Sequence, residues 1–176
     1  MAGMIDPTLA GMQAGPHHHG TVHHGTVLPE WIDNNGHMNV ACYLMAFDRA
    51  LDDFTDAIGF TRAYRAAHQS GIFVVEAHLT YGQELLEGEA YRIETRVLGI
   101  DGKKLHLFER MERASDGAQA ATCEMMILHM DMQSRRSAPF PAPILAGLIE
   151  LEQKAAERPL PPEAGRSVGI GQRRPS

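Results

Sequence analysis

A single carboxylate, Asp33, marks the part of the sequence with the clearest potential for chemistry. It lies in the segment Pro29–Asn39, which joins a short apolar stretch to a repeat of apolar residues at helical spacing. Asn39 suits a helix N-cap, and the start of a helix presents unpaired backbone N–H groups and a partial positive charge. Asp33 could therefore attack a carbonyl carbon, or activate water for that attack, while amides near Val40 and Ala41 stabilise the oxyanion.

Simpler roles are open for the same residues. Asp33, followed by Asn34 and by Gly36, also suits an Asx-turn, because Asp bonds its own backbone and Gly tolerates left-handed backbone. His37 either orients the acid or the substrate, or bonds a loop carbonyl. Asn39 is foremost a structural cap, although capping is what aims the helix amides. Tyr43 lies on the apolar stripe and is first of all a core residue.

Apolar periodicity predicts the helices that position these residues. Residues spaced by one, three and four positions form a helical stripe that begins after Asn39 and ends near Gly59. This stripe contains Val40, Tyr43, Leu44, Phe47, Leu51, Phe54 and Ile58. A lesser helix is expected through Tyr64 and Ala67, and a terminal helix over Ile144–Glu157.

Alternating patterns predict five strands. The stretch Val27–Ile32, interrupted by Pro29, predicts a first strand near a sheet edge. The other four strands are Ile72–Tyr81, Tyr91–Leu98, Lys104–Arg113 and Ala120–Met132. The dipeptides Asp101-Gly102 and Asp116-Gly117 are typical of hairpins, so we expect these four strands to be antiparallel neighbours. The arrangement is α+β, with the sheet wrapped around the long helix.

The motif and its context resemble a known family. Asp33, Gly36, His37, Asn39 and Tyr43 match an Asp-x-x-Gly-His-x-Asn pattern with Tyr four residues later. This pattern resembles that of the hotdog thioesterase superfamily, specifically the 4-hydroxybenzoyl-CoA thioesterase-like group, over about residues 26–150. The resemblance implies a hotdog fold, in which a five-stranded antiparallel sheet wraps around a long central helix. It also implies hydrolysis of a small or medium acyl-CoA thioester to the free acid and CoA.

The resemblance also suggests roles for individual residues. The family's nucleophile or general base falls on Asp33, and its oxyanion donor on the Val40 backbone amide, with His37 and Asn39 beside them. A second Asn common in the family is replaced here by Val40, which leaves a backbone donor intact. The family further implies a homodimer or a dimer of dimers with active sites between subunits, and CoA as part of the substrate rather than a separate cofactor.

The chain is also similar to thioesterases that act on betainyl-CoA in carnitine breakdown. A trimethylammonium group favours an aromatic face or a nearby carboxylate. Trp31 and Glu76 are candidates for this contact, and Tyr43 and His78 complete the predicted substrate-binding set. The alternative for Glu76 is a plain structural pair with His78 on the same strand face.

Charge and composition narrow the possible partners. The formal charge of −6 argues against a broad nucleic-acid-binding face, and no apolar run reaches the roughly 20 residues that span a bilayer. Four basic residues are candidates for contacts to the CoA phosphates, although solvated charge is their commoner role. They are Lys103, Lys104, Arg135 and Arg136.

Other reaction classes have weaker support in the sequence. It contains no G-x-S-x-G, P-loop, H-E-x-x-H or C-x-x-C motif, so neither a metal nor a further cofactor is expected. Cys42 and Cys123 lie in apolar segments and are expected to pack as small hydrophobes. Two alternatives to hydrolysis remain: a hotdog acyl-thioester dehydratase and a non-catalytic acyl-CoA-binding module.

Length and composition suggest one domain with two tails. The 176 residues favour a single domain, assigned to 26–158, with a disordered tail over 1–25 and a C-terminal tail over 159–176. The first tail contains a group of histidines that could chelate a stray metal. They are His17, His18, His19, His23 and His24. In the absence of a secretory signal pattern, the cytoplasm is the expected location.

Overall fold

The computed structural model describes residues 21–170. Within that range, the strands are β1 Val22–Thr26, β2 Ser70–Tyr81, β3 Ala90–Ile100, β4 Lys104–Arg113, β5 Gln119–Asp131 and β6 Arg136–Ser137. The helices are α1 Val40–Ala57, α2 Arg62–Ala67 and α3 Ala142–Ala156. All three predicted helices are therefore confirmed. None of the helices in residues 21–170 is long and apolar enough to cross a membrane.

The strands form one antiparallel sheet that curls around α1. Its order is β1-β3-β4-β5-β2, and the two-residue β6 pairs with the end of β5. The sheet therefore has six strands rather than the predicted five, because the chain folds back after Asp131. One face of α1 is buried against the sheet, through residues including Phe47, Ala50 and Phe54. This is the hotdog fold, as the sequence predicted.

The strand neighbours follow the predicted hairpins only in part. Strands β3, β4 and β5 are joined by tight turns in which Gly102 and Gly117 have φ of 88° and 74°. Strand β2, however, pairs with β5 and not with β3, which corrects the expected neighbour order. The reason is the connection over residues 82–89, which crosses the end of the sheet and buries Leu85 completely.

The prediction of a first strand over Val27–Ile32 is wrong. The strand is β1 instead, and Pro29–Trp31 forms a single 3-10 turn, because proline cannot donate a strand hydrogen bond. Strand β1 lacks apolar alternation, so no pattern revealed it. Its Gly25 lies where the Tyr91 ring occupies the space a side chain would need, and its His23 Nδ1 lies 2.7 Å from Asp53 Oδ2.

The structure also bears on the two predicted tails. Residues 22–25 belong to the sheet, so the domain begins before residue 26. Residues 1–20, which include His17, His18 and His19, lie outside the described residues. At the other end, the chain after α3 lies on the outer face of the sheet. There the Gly165 N–H donates to Glu124 Oε2 at 2.8 Å. Residues 171–176 also lie outside the described range.

One carboxylate, Glu109, is buried in the core between sheet and helix. It is fully buried, and the Thr95 hydroxyl donates to its Oε1 at 3.0 Å. Its Oε2 has no hydrogen-bond partner among the described residues. Burial raises the pKa of Glu109 well above its usual range, and the charge of Asp48 adds to this effect. The fold therefore favours the neutral acid at this position.

We predict that Glu109→Gln stabilises the protein at neutral pH. Since the folded-state pKa of Glu109 is raised, the unfolded chain releases this proton first, and stability falls as pH rises above the unfolded pKa of roughly 4.3. A glutamine side chain does not ionise, so this loss of stability disappears, and its Oε1 still accepts from the Thr95 hydroxyl. The unfolding free energy at about pH 7.5 should rise by about 1 kcal/mol or more, with no gain near pH about 4.

Urea unfolding of both forms across this pH range measures the effect. The matched control is Glu150→Gln, which removes an exposed carboxylate from α3 and should leave the pH dependence unchanged. A Glu109→Gln gain of equal size at both pH values would contradict the prediction.

Candidate active site

A cavity of about 360 Å³ lies beside the start of α1. Its walls come from the loop before α1, the first turn of α1, and the chain at and after the end of β2. The lining residues are Asp33, Asn35, His37, Met38, Val40, Tyr43, Tyr81, Gly82, Gln83 and Glu84. Four of the predicted site residues thus share one cavity: Asp33, His37, Val40 and Tyr43. Another cavity, of about 260 Å³ beneath the C-terminal segment, contains none of the predicted site residues.

A tight turn holds Asp33 in place. The Asp33 N–H donates to the His37 carbonyl, and the Gly36 N–H donates to the Asp33 carbonyl, both at 3.0 Å. Gly36 has φ of 85°, the left-handed conformation that favours glycine. The Asn35 N–H also donates to Asp33 Oδ1 at 2.8 Å, so the Asx-turn considered from the sequence is present. It orients the carboxylate, whose Oδ2 accepts no hydrogen bond from the described residues, and the side chain is 21% exposed.

His37 lies close to the carboxylate without bonding it directly. Its Nδ1 is 3.3 Å from the Met38 carbonyl oxygen and 3.9 Å from Asp33 Oδ1. The first distance fits a ring N–H donating to the loop carbonyl, and the second is too long for a hydrogen bond.

The cap of α1 leaves one amide available. Asn39 Oδ1 accepts from the Ala41 N–H, and the Asn39 carbonyl accepts from the Cys42 N–H, both at 2.9 Å. The predicted N-cap is thus confirmed. The Val40 N–H has no acceptor among the described residues, so the two amides considered from the sequence reduce to one, that of Val40.

Tyr43 is both a core residue and part of the cavity wall. It is 4% exposed, and its hydroxyl accepts from the Leu85 N–H at 3.1 Å. Burial raises the pKa of Tyr43. Its ring meets the Tyr81 ring edge to face, with centroids 5.4 Å apart. The hydroxyl therefore ties α1 to the segment that crosses after β2.

Sequence reasoning missed the wall formed by Tyr81, Gln83 and Glu84. Tyr81 was assigned only to its strand, and the residues after it were not considered for the site. They reach the cavity because the crossing segment passes the start of α1, where the Met38 N–H donates to the Leu85 carbonyl at 2.8 Å. No local pattern signals such a crossing, although the high acid content of Glu84–Glu89 is visible in the sequence.

Three predicted substrate-binding residues lie away from this cavity in a single chain. Trp31 is 3% exposed, and the Arg49 guanidinium already covers its ring at 4.8 Å. Glu76 and His78 line a separate depression on the outer face of the sheet, next to a hydrogen bond between His106 Nε2 and Glu124 Oε1. The pairing of Glu76 with His78 is absent from the ion pairs of the described residues.

The basic residues considered for the CoA phosphates lie at the other end of β2. Lys103 and Lys104 belong to the turn that starts β4, and the Arg135 guanidinium lies 6.0 Å from the centre of the Phe73 ring. Arg136 is in β6. All four are near the start of β2, whereas the Asp33 cavity is near its end. One chain by itself does not bring them to the cavity.

Within residues 21–170, neither the cysteines nor the potential metal ligands form a second candidate active site. Cys123 is fully buried, and burial, with the charge of Glu124, raises its pKa. Cys42 is half-buried and its pKa is also raised by burial. Both are therefore poor nucleophiles. No cluster of three or more His, Cys, Asp or Glu residues with metal-binding geometry occurs in this range.

Comparison with known proteins identifies the family of the chain. A sequence model of the thioesterase-like superfamily matches residues 27–148. The chain is 35% identical over 150 residues to a betainyl-CoA thioesterase of Pseudomonas aeruginosa, covering 85% of this chain and 94% of that protein. It is 36% identical over 139 residues to an L-carnitine dehydrogenase/betainyl-CoA thioesterase of Rhizobium meliloti, covering 79% of this chain and 28% of that longer protein.

A solved structure shows the same fold with CoA bound. It is a hypothetical protein of Staphylococcus aureus determined in complex with CoA, and it superposes with a TM-score of 0.81 at 27% identity. The match covers 90% of this chain and 100% of the other. The likeness therefore extends over most of the chain.

We predict that Asn39→Ala destabilises the protein by about 1 kcal/mol, because the variant loses the bond that caps α1. Asn39→Asp keeps an acceptor for the Ala41 N–H and should retain most of the stability. Urea unfolding at one fixed protein concentration measures both variants. Equal stability of the Ala and Asp variants would show that the cap bond contributes nothing.

Proposed function

The chain belongs to the thioesterase-like superfamily, and we propose that it hydrolyses an acyl-CoA thioester with Asp33 as the catalytic carboxylate. The observation that carries this proposal is the shared cavity. Asp33, whose carboxylate is oriented by the Asx-turn, and Val40, whose N–H has no acceptor among the described residues, line the same space of about 360 Å³. Such a space accommodates the acyl end of a thioester between the two groups.

The chemistry requires only these two groups and water. The thioester carbonyl oxygen lies against the Val40 N–H, at the positive end of α1. The Asp33 carboxylate attacks the carbonyl carbon, or takes a proton from the water that attacks it. Attack by Asp33 itself breaks the C–S bond, releases CoA as thiolate and leaves an acyl–Asp33 anhydride, which water hydrolyses to the free acid and the regenerated carboxylate. Attack by water, with Asp33 as the base, gives the free acid directly as the C–S bond breaks, and the proton held by Asp33 passes to the departing thiolate. In a well-studied hydrolase, one such oxyanion donor contributes roughly 3–4 kcal/mol.

We further propose betainyl-CoA as the substrate. Support comes from the two relatives described above, both of which are named as betainyl-CoA thioesterases. Trp31 and Glu76 lie outside the cavity of one chain, so within that chain other residues must supply the aromatic or acidic contact that a trimethylammonium group needs. Tyr43 and Tyr81 offer aromatic faces within the cavity.

A second copy of the chain is proposed to complete the site as a homodimer, alone or within a dimer of dimers. The outer edge of β2 pairs with no other strand of residues 21–170, and Phe73, Val74 and Val75 on it are 38–55% exposed. An exposed apolar edge strand is a template for pairing. The start of α1 adds an exposed apolar surface next to it, formed by Val40, Leu44 and Met45.

Antiparallel pairing of two β2 strands would give the basic residues a role. A twofold axis that relates the two β2 strands places the start of the partner's β2 beside the end of this chain's β2, where the cavity lies. The four basic residues of the second copy then approach the first copy's cavity. In this arrangement, Lys103, Lys104, Arg135 and Arg136 contact the CoA phosphates across the interface.

We place the reaction in the cytoplasm, in keeping with the free state of Cys42 and Cys123.

We predict that Asp33→Asn lowers thioester hydrolysis by at least about 100-fold, because Asn neither attacks nor accepts a proton. The measurement uses a panel of acyl-CoA substrates and a dye that traps the released thiol. Asp56→Asn, at an exposed position on α1, is the matched control and should keep full activity. Circular dichroism verifies that both variants fold.

Three results would refute this assignment. A nearly active Asp33→Asn variant would remove the carboxylate from the mechanism. Formation of an enoyl product without thiol release would instead indicate a dehydratase, and tight acyl-CoA binding without any reaction would indicate a binding module.

We predict that Val75→Lys separates the proposed dimer and lowers its activity, because it places a charge on the pairing edge of β2. Analytical ultracentrifugation at micromolar concentration compares it with wild type, and Val168→Lys is the control at a valine that is 91% exposed. A wild-type chain that sediments as a monomer would contradict the proposal.

A further inference from the structure

The Asp33 cavity has an unusual charge for a site that takes a CoA ester. Among the described residues that line it are two carboxylates, Asp33 and Glu84, and two tyrosine rings, but no lysine or arginine. Only one of the carboxylates is needed for hydrolysis. The second one therefore calls for a separate explanation.

We propose that Glu84, with the rings of Tyr43 and Tyr81, selects an acyl group that carries a fixed positive charge. This inference rests on the proposed thioesterase activity and names the residues that determine its specificity. A quaternary ammonium group has no N–H to donate, so it is recognised through aromatic faces and through an unpaired negative charge. Tyr43, Tyr81 and the exposed Glu84 all line the cavity.

The Glu84 side chain is available for such a contact. Within residues 21–170, no Lys, Arg or His nitrogen lies within 4.0 Å of its carboxylate. The nearby Glu89 differs, because its carboxylate is 3.8 Å from Arg113 Nη1 and accepts from the Leu86 N–H at 2.8 Å. Arg113 also donates to the main-chain carbonyl of Glu84 at 3.4 Å. The backbone of Glu84 is thus held while its carboxylate stays unpaired.

The two tyrosines give the cationic group an aromatic wall. The Tyr43 ring is fixed by burial and by the bond from Leu85 to its hydroxyl. Tyr81 is half-exposed and its hydroxyl donates to the Val40 carbonyl at 3.4 Å. Tyr81 therefore contacts the residue whose amide is assigned to the oxyanion, which places the aromatic wall next to the reacting carbonyl. In betainyl-CoA, a single methylene separates the charge from that carbonyl.

Glu84 acts on this region electrostatically. Burial raises the pKa of Tyr43, and the nearby charges of Glu84 and Glu89 add to this effect. An acyl cation in the cavity would lie between two negative groups, whereas an anionic acyl group would be repelled by both. The cavity therefore distinguishes acyl groups by the sign of their charge.

A pair of substrates with the same shape tests this inference. Betainyl-CoA and 3,3-dimethylbutanoyl-CoA differ only in whether the branched atom is nitrogen with a positive charge or carbon without one. The readout is the ratio of kcat/KM for the charged to the neutral ester, measured by thiol release. We expect the wild-type ratio to exceed about 10, and Glu84→Gln to lower it about tenfold, equivalent to roughly 1.4 kcal/mol. The change should appear mainly in KM for the charged ester.

The matched control is Glu87→Gln, an exposed glutamate on the same segment that does not line the cavity. It should keep both rates and their ratio. A ratio unchanged by Glu84→Gln, or a wild-type enzyme that prefers the neutral ester, overturns this inference while thiol release itself continues. Absence of thiol release from every acyl-CoA of the panel overturns the proposed function instead.

Discussion

The site depends on how the start of α1 is anchored by main-chain hydrogen bonds. The Asn39 N–H donates to the Trp31 carbonyl, and the Met38 N–H donates to the Leu85 carbonyl, both at 2.8 Å. These bonds attach the helix start to the turn before Asp33 on one side and to the crossing segment on the other. Because both partners are backbone groups, the position of the Val40 amide relative to Asp33 is set by the fold itself, which is the preorganisation that an oxyanion donor requires.

The anchoring also explains why the sheet has its order. If β2 paired with β3, a short turn would join them, and residues 82–89 would not reach α1. With β2 beside β5, the connection must cross the open end of the sheet, where Leu85 fills the core and bonds Tyr43. The same crossing leaves the outer edge of β2 bare. Cavity and free edge are thus two results of one connection.

The sequence was informative where the signal was local. The cap at Asn39, the stripe of α1 and the turns at Gly102 and Gly117 each depend on a few neighbouring residues, and all three were predicted correctly. Strand β1 was missed because its sequence, Val-His-His-Gly-Thr, contains little apolar surface; long-range contacts hold it instead, such as Gly25 against Tyr91. Likewise, Glu84 and Tyr81 reach the site through the crossing, which depends on residues far apart in the chain.

The proposed use of a peptide N–H as oxyanion donor has a further consequence at position 40. In this proposal the main chain and the side chain of Val40 have separate tasks, since the N–H holds the oxyanion while the residue, 58% exposed, also lines the cavity. Any residue other than proline supplies the same donor. The bulk of this side chain can therefore drift during evolution and reshape the acyl pocket, so related enzymes can diverge in substrate while their chemistry stays constant.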